Sequence, residues 1–174
     1  MRCTAGQCVY GRLYVPSKLV PNSSLFFIAE NPSFRELQLG TPLVGPAGKK
    51  FDSVLAQAGI SRSEVSIGNL TCCCDTTRER KNPLPDEIDA CWPRLMAEIE
   101  MINPQVVFLL GALPSAQFFV GATGAFGNIR GKPRVWQGHI ALCSWHPARI
   151  LPHRSPEAEP LLVEDLLLAK SLIQ

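Results

Sequence analysis

Apolar residues in this chain gather in short blocks whose spacing changes along the sequence. Residues 25–29 (Leu-Phe-Phe-Ile-Ala) and 106–110 (Val-Val-Phe-Leu-Leu) are unbroken apolar runs of strand length. Such runs predict strands covered on both faces, as in a parallel sheet. Residues 65–70 and 140–144 read as further strands, and 134–137 as one more strand segment. Between these runs the period becomes helical. Residues 47–58 place Phe51, Val54, Leu55 and Ala58 on one face, with Gly59 as a stop. Residues 85–102 start on a proline and carry Ile88, Trp92, Leu95, Ile99 and Ile102 at helical spacing. Shorter patterns predict helices over 114–120 and 157–173. Residues up to about 22, 31–47, 72–83 and 121–134 lack periodicity and read as loops.

Alternating strands and helices imply an α/β sandwich built on a parallel sheet. At 174 residues the chain has the length of one domain, 1–174, and 46% hydrophobic residues supply its core. No apolar run approaches the roughly 20 residues of a membrane span. No secretory core is visible near the start. A cytoplasmic protein with no membrane partner is therefore expected. Seven cysteines are an odd number for a disulfide framework, and cytosolic thiols stay reduced. Several cysteines in such a chain point to a metal or cluster.

The net charge of +2 does not identify a partner, but its distribution is informative. Basic groups cluster at Arg78, Arg80 and Lys81, at Arg130, Lys132 and Arg134, and at Arg149, His153 and Arg154. Local patches of this kind suit a phosphate backbone.

Two strand-like runs stop at polar residues followed by proline: Ala29-Glu30-Asn31-Pro32-Ser33 and Ser144-Trp145-His146-Pro147-Ala148. Ligands of open α/β sheets bind at the carboxyl ends of strands. A carboxylate, an amide and an imidazole on that rim can position water and stabilise a departing anion.

These motifs, with Gly40-Thr41-Pro42-Leu43-Val44-Gly45-Pro46-Ala47-Gly48, Asn69-Leu70-Thr71-Cys72-Cys73 and Pro85-Asp86-Glu87-Ile88-Asp89-Ala90-Cys91, occur in an order and spacing that resembles the uracil-DNA glycosylase superfamily. The resemblance is closest to its iron–sulfur, family 4 type. It implies a three-layer sandwich with a central four-stranded parallel sheet, and hydrolysis of the N-glycosidic bond of uracil in DNA after base flipping. It implies Glu30, Asn31 and His146 as catalytic groups and Asn69 as the amide that reads the uracil edge, one donor and one acceptor against N3–H and O4. Pro32 and Ser33 belong to the same substrate loop. Leu43 stands where the family has a stacking phenylalanine, and Phe34 is a candidate substitute.

The resemblance also implies a [4Fe–4S] cluster on four cysteines. Cys3 and Cys8 supply the first pair and Cys91 the last. The third comes from the run Cys72-Cys73-Cys74, where the spacing from Asn69 favours Cys73. Cys143 reads as a small core residue. Arg130, Arg149 and Arg154 are candidate phosphate contacts, and 149–154 a candidate minor-groove wedge. A monomer acting on single- or double-stranded DNA in the nucleoid is expected.

Two departures leave alternatives open. Ala29 and Ser33 replace family glycines, and Asn31 matches the Gly-x-Asn-Pro-Gly motif of the mismatch-specific branch. Either Glu30 or Asn31 is then the water-activating group. The bases removed could extend beyond uracil, and a non-catalytic DNA-binding protein on the same fold is the rival from another class.

Overall fold

The computed structural model describes residues 8, 12–73, 82–121 and 125–173. Five strands form one sheet in the order β2-β1-β3-β5-β4: β1 (Leu25–Ala29), β2 (Ser66–Asn69), β3 (Val106–Leu110), β4 (Arg134–Trp136) and β5 (His139–Ser144). The first four in that order are parallel, and β4 runs antiparallel to β5. The expected four-stranded parallel sheet is thus corrected to a mixed sheet of five. The extra strand comes from a tight hairpin. Gln137 (φ 45) and Gly138 (φ 87) both occupy the left-handed region, the geometry a two-residue β-hairpin turn demands. As a short, exposed edge strand, β4 offers little surface for unwanted pairing.

Helices α2 (Pro46–Gln57) and α6 (Glu159–Ser171) cover one face of the sheet. Helix α3 (Pro85–Ile102) covers the other, together with α4 (Ala112–Phe118). The alternation of strand side chains decides which residue goes where. Phe27 faces α2 and α6, with its ring 5.0 Å from Phe51 and 5.1 Å from Phe108. Its neighbours Phe26 and Ile28 face α3. Burying one such phenylalanine contributes about 1.5–3 kcal/mol.

Two departures from the sequence expectation fall next to the site. Residues 31–47 are not all loop: Phe34–Leu39 forms a short helix, α1. Ser33 caps it, accepting from the Glu36 amide at 3.4 Å, while Glu36 Oε2 accepts from the Ser33 amide at 2.6 Å. This reciprocal box satisfies two amide groups that the helix start would otherwise strand. In the Gly-rich 121–134 segment, Phe126–Ile129 forms a single turn, α5.

The chain before β1 lies antiparallel along the free edge of β2. Val15 N donates to Cys72 O at 2.8 Å, and Lys18 and Ile67 exchange backbone hydrogen bonds at 2.8 Å. Arg12 fastens this strap to α3 through Glu87 at 2.5 Å.

Candidate active site

The connection after β1 leads to β2 on one side of it, and the connection after β2 returns to β3 on its other side. The strand order therefore reverses at β1, and the crevice at such a reversal is where open α/β sheets bind ligands. Register places three of the sequence-predicted groups along this rim. Ala29 is opposite Asn69 and Leu110 is opposite Ser144. Glu30 leaves the end of β1, Asn69 ends β2, and His146 follows β5 by two residues. One strand, β3, lies between the strands that lead to Glu30 and His146.

His146 caps the short turn Pro147–Ile150, and its Nδ1 accepts from the Ala148 amide at 3.1 Å. That bond assigns the tautomer: the one proton of the neutral ring sits on Nε2, which is left as a donor. Burial of the ring, with the positive charge of Arg154 nearby, lowers its pKa to about 4. The imidazole is therefore neutral near pH 7. Gly111, at φ 100, passes beneath it. A Cβ there would lie 3.2 Å from the His146 Cβ, so the bare backbone makes room for the ring.

Glu30 is half-buried, and burial raises its pKa. Its backbone carbonyl accepts from Thr71 N at 3.2 Å, which keeps the β1 and β2 ends together. The Asn31 side chain turns back onto its own loop, with Nδ2 donating to Pro32 O at 3.2 Å. Asn69 is 5% exposed. A half-buried carboxylate, a neutral imidazole donor and a buried amide on one rim can activate water, stabilise an anion and read a planar polar ring.

A family model of the uracil DNA glycosylase superfamily matches residues 16–167. The chain belongs to this superfamily. Among its relatives are the type-4 uracil-DNA glycosylases of Thermotoga maritima, Sulfurisphaera tokodaii and Saccharolobus solfataricus. The first is 34% identical over 154 residues, covering 88% of this chain and 79% of that one. The second is 31% identical over 159 residues, with 87% and 70% covered. The third is 30% identical over 167 residues, with 91% and 76% covered. These matches place the chain with the type-4 branch of the uracil-DNA glycosylase superfamily.

The other expected site residues have varied surroundings. Leu43 is buried against the α2 core with its backbone in the left-handed region (φ 51). Gly48 makes that possible, since a Cβ at 48 would sit 1.8 Å from Leu43 O. Phe34 is 44% exposed at the start of α1. Pro32 is buried, and Ser33 is occupied as the α1 cap. Arg149 stacks on Trp145, 4.0 Å from the ring centroid. Arg149 and Arg154 are exposed. In the expected wedge, Ile150 is fully buried in the core, which leaves half-buried Leu151 as the apolar group toward solvent.

Arg130 departs from expectation. Its Nε and Nη2 donate to the Asp165 carboxylate at 3.0 and 2.9 Å, and Nη2 also reaches Leu161 O. Asp165 also accepts from the hydroxyl of Ser144, two residues before His146. Where a phosphate contact was expected, Arg130 makes an internal ion pair behind β5.

Cys3, Cys74, Arg78, Arg80 and Lys81 lie outside the described residues. Cys8, Cys72, Cys73 and Cys91 form one buried patch with Tyr14 and Ala90. Cys8 Sγ lies 3.2 Å from Cys73 Sγ. A hydrogen bond between Cys72 and Cys91, together with burial, pushes the Cys72 thiol up; burial and the Cys8 contact push Cys73 up. Among the described residues, no group of three or more potential ligands stands in metal-binding geometry. No described helix is long and apolar enough to cross a membrane.

Sequence reasoning missed Glu36, Arg94 and Asp165. Glu36 ties Ser33 to Val44 in the connection from β1 to α2, since its other oxygen accepts from Val44 N at 3.2 Å. The Ser33-x-x-Glu36 capping pattern was a readable signal for it.

Proposed function

We propose that the protein is a DNA glycosylase that hydrolyses the N-glycosidic bond of uracil in DNA, treating 1–174 as one catalytic domain. The observation that carries this reading is the neutral His146, with Nε2–H as its remaining donor, on the same rim as Glu30 and Asn69. The target nucleotide flips out of the helix, because the bond is out of reach inside the stack. Asn69 reads the uracil edge with one donor and one acceptor. Cytosine presents the opposite pattern there and is rejected.

As the C1′–N1 bond breaks, its electron pair leaves with the base. Nε2–H of His146 donates to the base oxygen where that charge develops. Glu30 faces the cationic sugar and takes a proton from the attacking water as the new C1′–O bond forms. Asn31 is the alternative group for that water. Arg149 and Arg154 bind phosphate, and Leu43 and Phe34 line the base pocket.

Cys3, Cys8, Cys73 and Cys91 fit a [4Fe–4S] cluster by donor chemistry. The three described ones are buried and gathered in one patch with Cys72. When bound, the cluster would tie the strap, the segment after β2 and α3 together.

The test is release of base from oligonucleotides carrying uracil, hypoxanthine or thymine, with alkali to open the abasic product. Cleavage confined to uracil is expected, and loss of about 10²–10³ in single-turnover rate for His146→Ala. Protein that binds these duplexes but releases no base would leave a DNA-binding module instead. Preferential release of another base would correct the substrate.

A further inference from the structure

Arg149 is exposed, and its guanidinium carbon lies 4.0 Å from the centroid of the Trp145 ring. Arg12, Arg62, Arg94 and Arg130 each meet a carboxylate. Arg149 meets a ring instead, and among the described residues no oxygen accepts from its guanidinium. The indole therefore covers one face of the cation. The other face and the N–H edge are left to solvent.

Trp145 is placed by its face. Phe126 backs the ring from α5, with centroids 4.8 Å apart. The indole Nε1 is buried and has no partner among the described residues, although a buried indole N–H usually finds one. The ring thus holds its stacked position at the expense of its one polar group.

The backbone sets where the stack lies. Pro147–Ile150 is a 3-10 turn capped by His146, and Arg149 N donates to His146 O at 2.8 Å. That bond closes one turn, so Arg149 returns to the side of the turn on which His146 starts it. Half-buried Leu151 follows two residues later.

We propose that Arg149, backed by Trp145, is a stacking shelf for the nucleobase next to the flipped uracil on the same strand. The inference rests on the proposed function for the place of the flipped base, at His146. Flipping removes the stacking partner of the neighbouring base. A guanidinium backed by an aromatic ring offers that base a cationic plane in its place. The shelf lies one turn from the imidazole, so the base it covers belongs to the strand whose uracil His146 holds. Every base has a π-face, so the shelf tolerates any sequence but needs a base to be present. The N–H edge still donates to phosphate, and charge and stacking are separate contributions of one side chain.

The experiment measures affinity, by fluorescence anisotropy, for a duplex with a central 2′-fluoro-deoxyuridine, which resists excision. In three further duplexes a tetrahydrofuran abasic site replaces the 5′ neighbour, the 3′ neighbour or the base opposite, one at a time. Wild type is compared with Arg149→Lys, which keeps the charge and loses the planar fork. Comparing the two proteins on each duplex cancels what the abasic site does to the DNA alone. Removing one same-strand neighbour is expected to shrink the advantage of wild type over Arg149→Lys about tenfold, the scale of one stacked base.

An advantage that is equal on all four duplexes overturns the proposal and leaves Arg149 a phosphate contact alone. A change confined to the base opposite overturns it too, since the stack would then belong to the other strand. Trp145→Leu should lose the same coupling, and full coupling there overturns the part of the ring. If that variant shows no cooperative urea transition, Arg149→Lys decides alone, because it alters only an exposed side chain. Central 2′-fluoro-thymidine separates this inference from the proposed function. Equal wild-type affinity for the two central bases with the coupling intact removes the uracil reading and keeps the shelf. A preference for uracil without the coupling removes only the shelf.

Discussion

The imidazole of His146 gains no proton until the pH falls to about 4, so its donor persists across the neutral range. No activity limb near pH 6.5 should appear. An acid limb is expected instead from Glu30, at a pH above the ordinary carboxylate range because burial raises its pKa. Single-turnover rates against pH check this. Glu30→Gln should abolish the limb and most of the activity, while Asn31→Ala keeps much of it. The reverse order would make Asn31 the water-positioning group. Glu30→Gln should also raise Tm at pH 7. Folding disfavours the charged carboxylate, so wild type bears a cost that disappears as the pH falls through the raised pKa. His146 acts in the opposite sense. Between the ordinary histidine value of 6.5 and about 4, the unfolded chain takes up a proton that the folded chain refuses. Stability from this source is whole above that window and lost on acidification through it, so the pH slope of Tm should flatten in His146→Ala.

At the scale of elements, the loop between β1 and α2 is built against local preference and held from two directions. Leu43 adopts a positive φ that only its surroundings enforce. Gly48→Ala would drive a Cβ into Leu43 O and should cost about 2–4 kcal/mol, read by thermal or urea unfolding. Strands β1, β3 and β5 and helix α3 were legible in the sequence because their apolar spacing is strong. The positions of Glu30 after β1, Asn69 at the end of β2 and His146 after β5 were legible too, because the apolar runs stop there. Arg94, Glu98 and Asp165 were not. On a helical pattern, Arg94 and Glu98 at i,i+4 read as a solvated pair, and only tertiary contact reveals that both are buried. Arg130 misled for the same reason, since a charge in a Gly-rich segment looks exposed until Asp165 is found beneath it. Strand β4 was expected as the segment 134–137, but its antiparallel pairing with β5 was not, because Gln137 is seldom chosen for the positive φ of the hairpin turn.

For the whole molecule, a net charge of +2 leaves DNA affinity to local cations. Each phosphate contact contributes about one unit to the slope of log K against log salt. Arg149→Gln and Arg154→Gln should each reduce that slope by about one, measured by fluorescence anisotropy from low to moderate salt. Arg130→Gln should leave the slope alone and cost about 3–5 kcal/mol of stability instead, because it leaves Asp165 buried beside a lost partner.

The strap along β2 has a bearing on how the protein assembles during synthesis. Cys8 emerges from the ribosome early, yet its neighbour Cys73 lies 65 residues later and Cys91 later still. Contacts so distant in sequence close slowly. The nascent chain therefore carries Cys3 and Cys8 well before Cys73 and Cys91 are made, and the strap docks only after β2 and α3 exist. Under the proposed function, iron would enter last, as a seal on a finished fold rather than a seed for it. Pulse-alkylation during refolding should accordingly find Cys8 reactive after the sheet has formed, and protected only once the strap has closed.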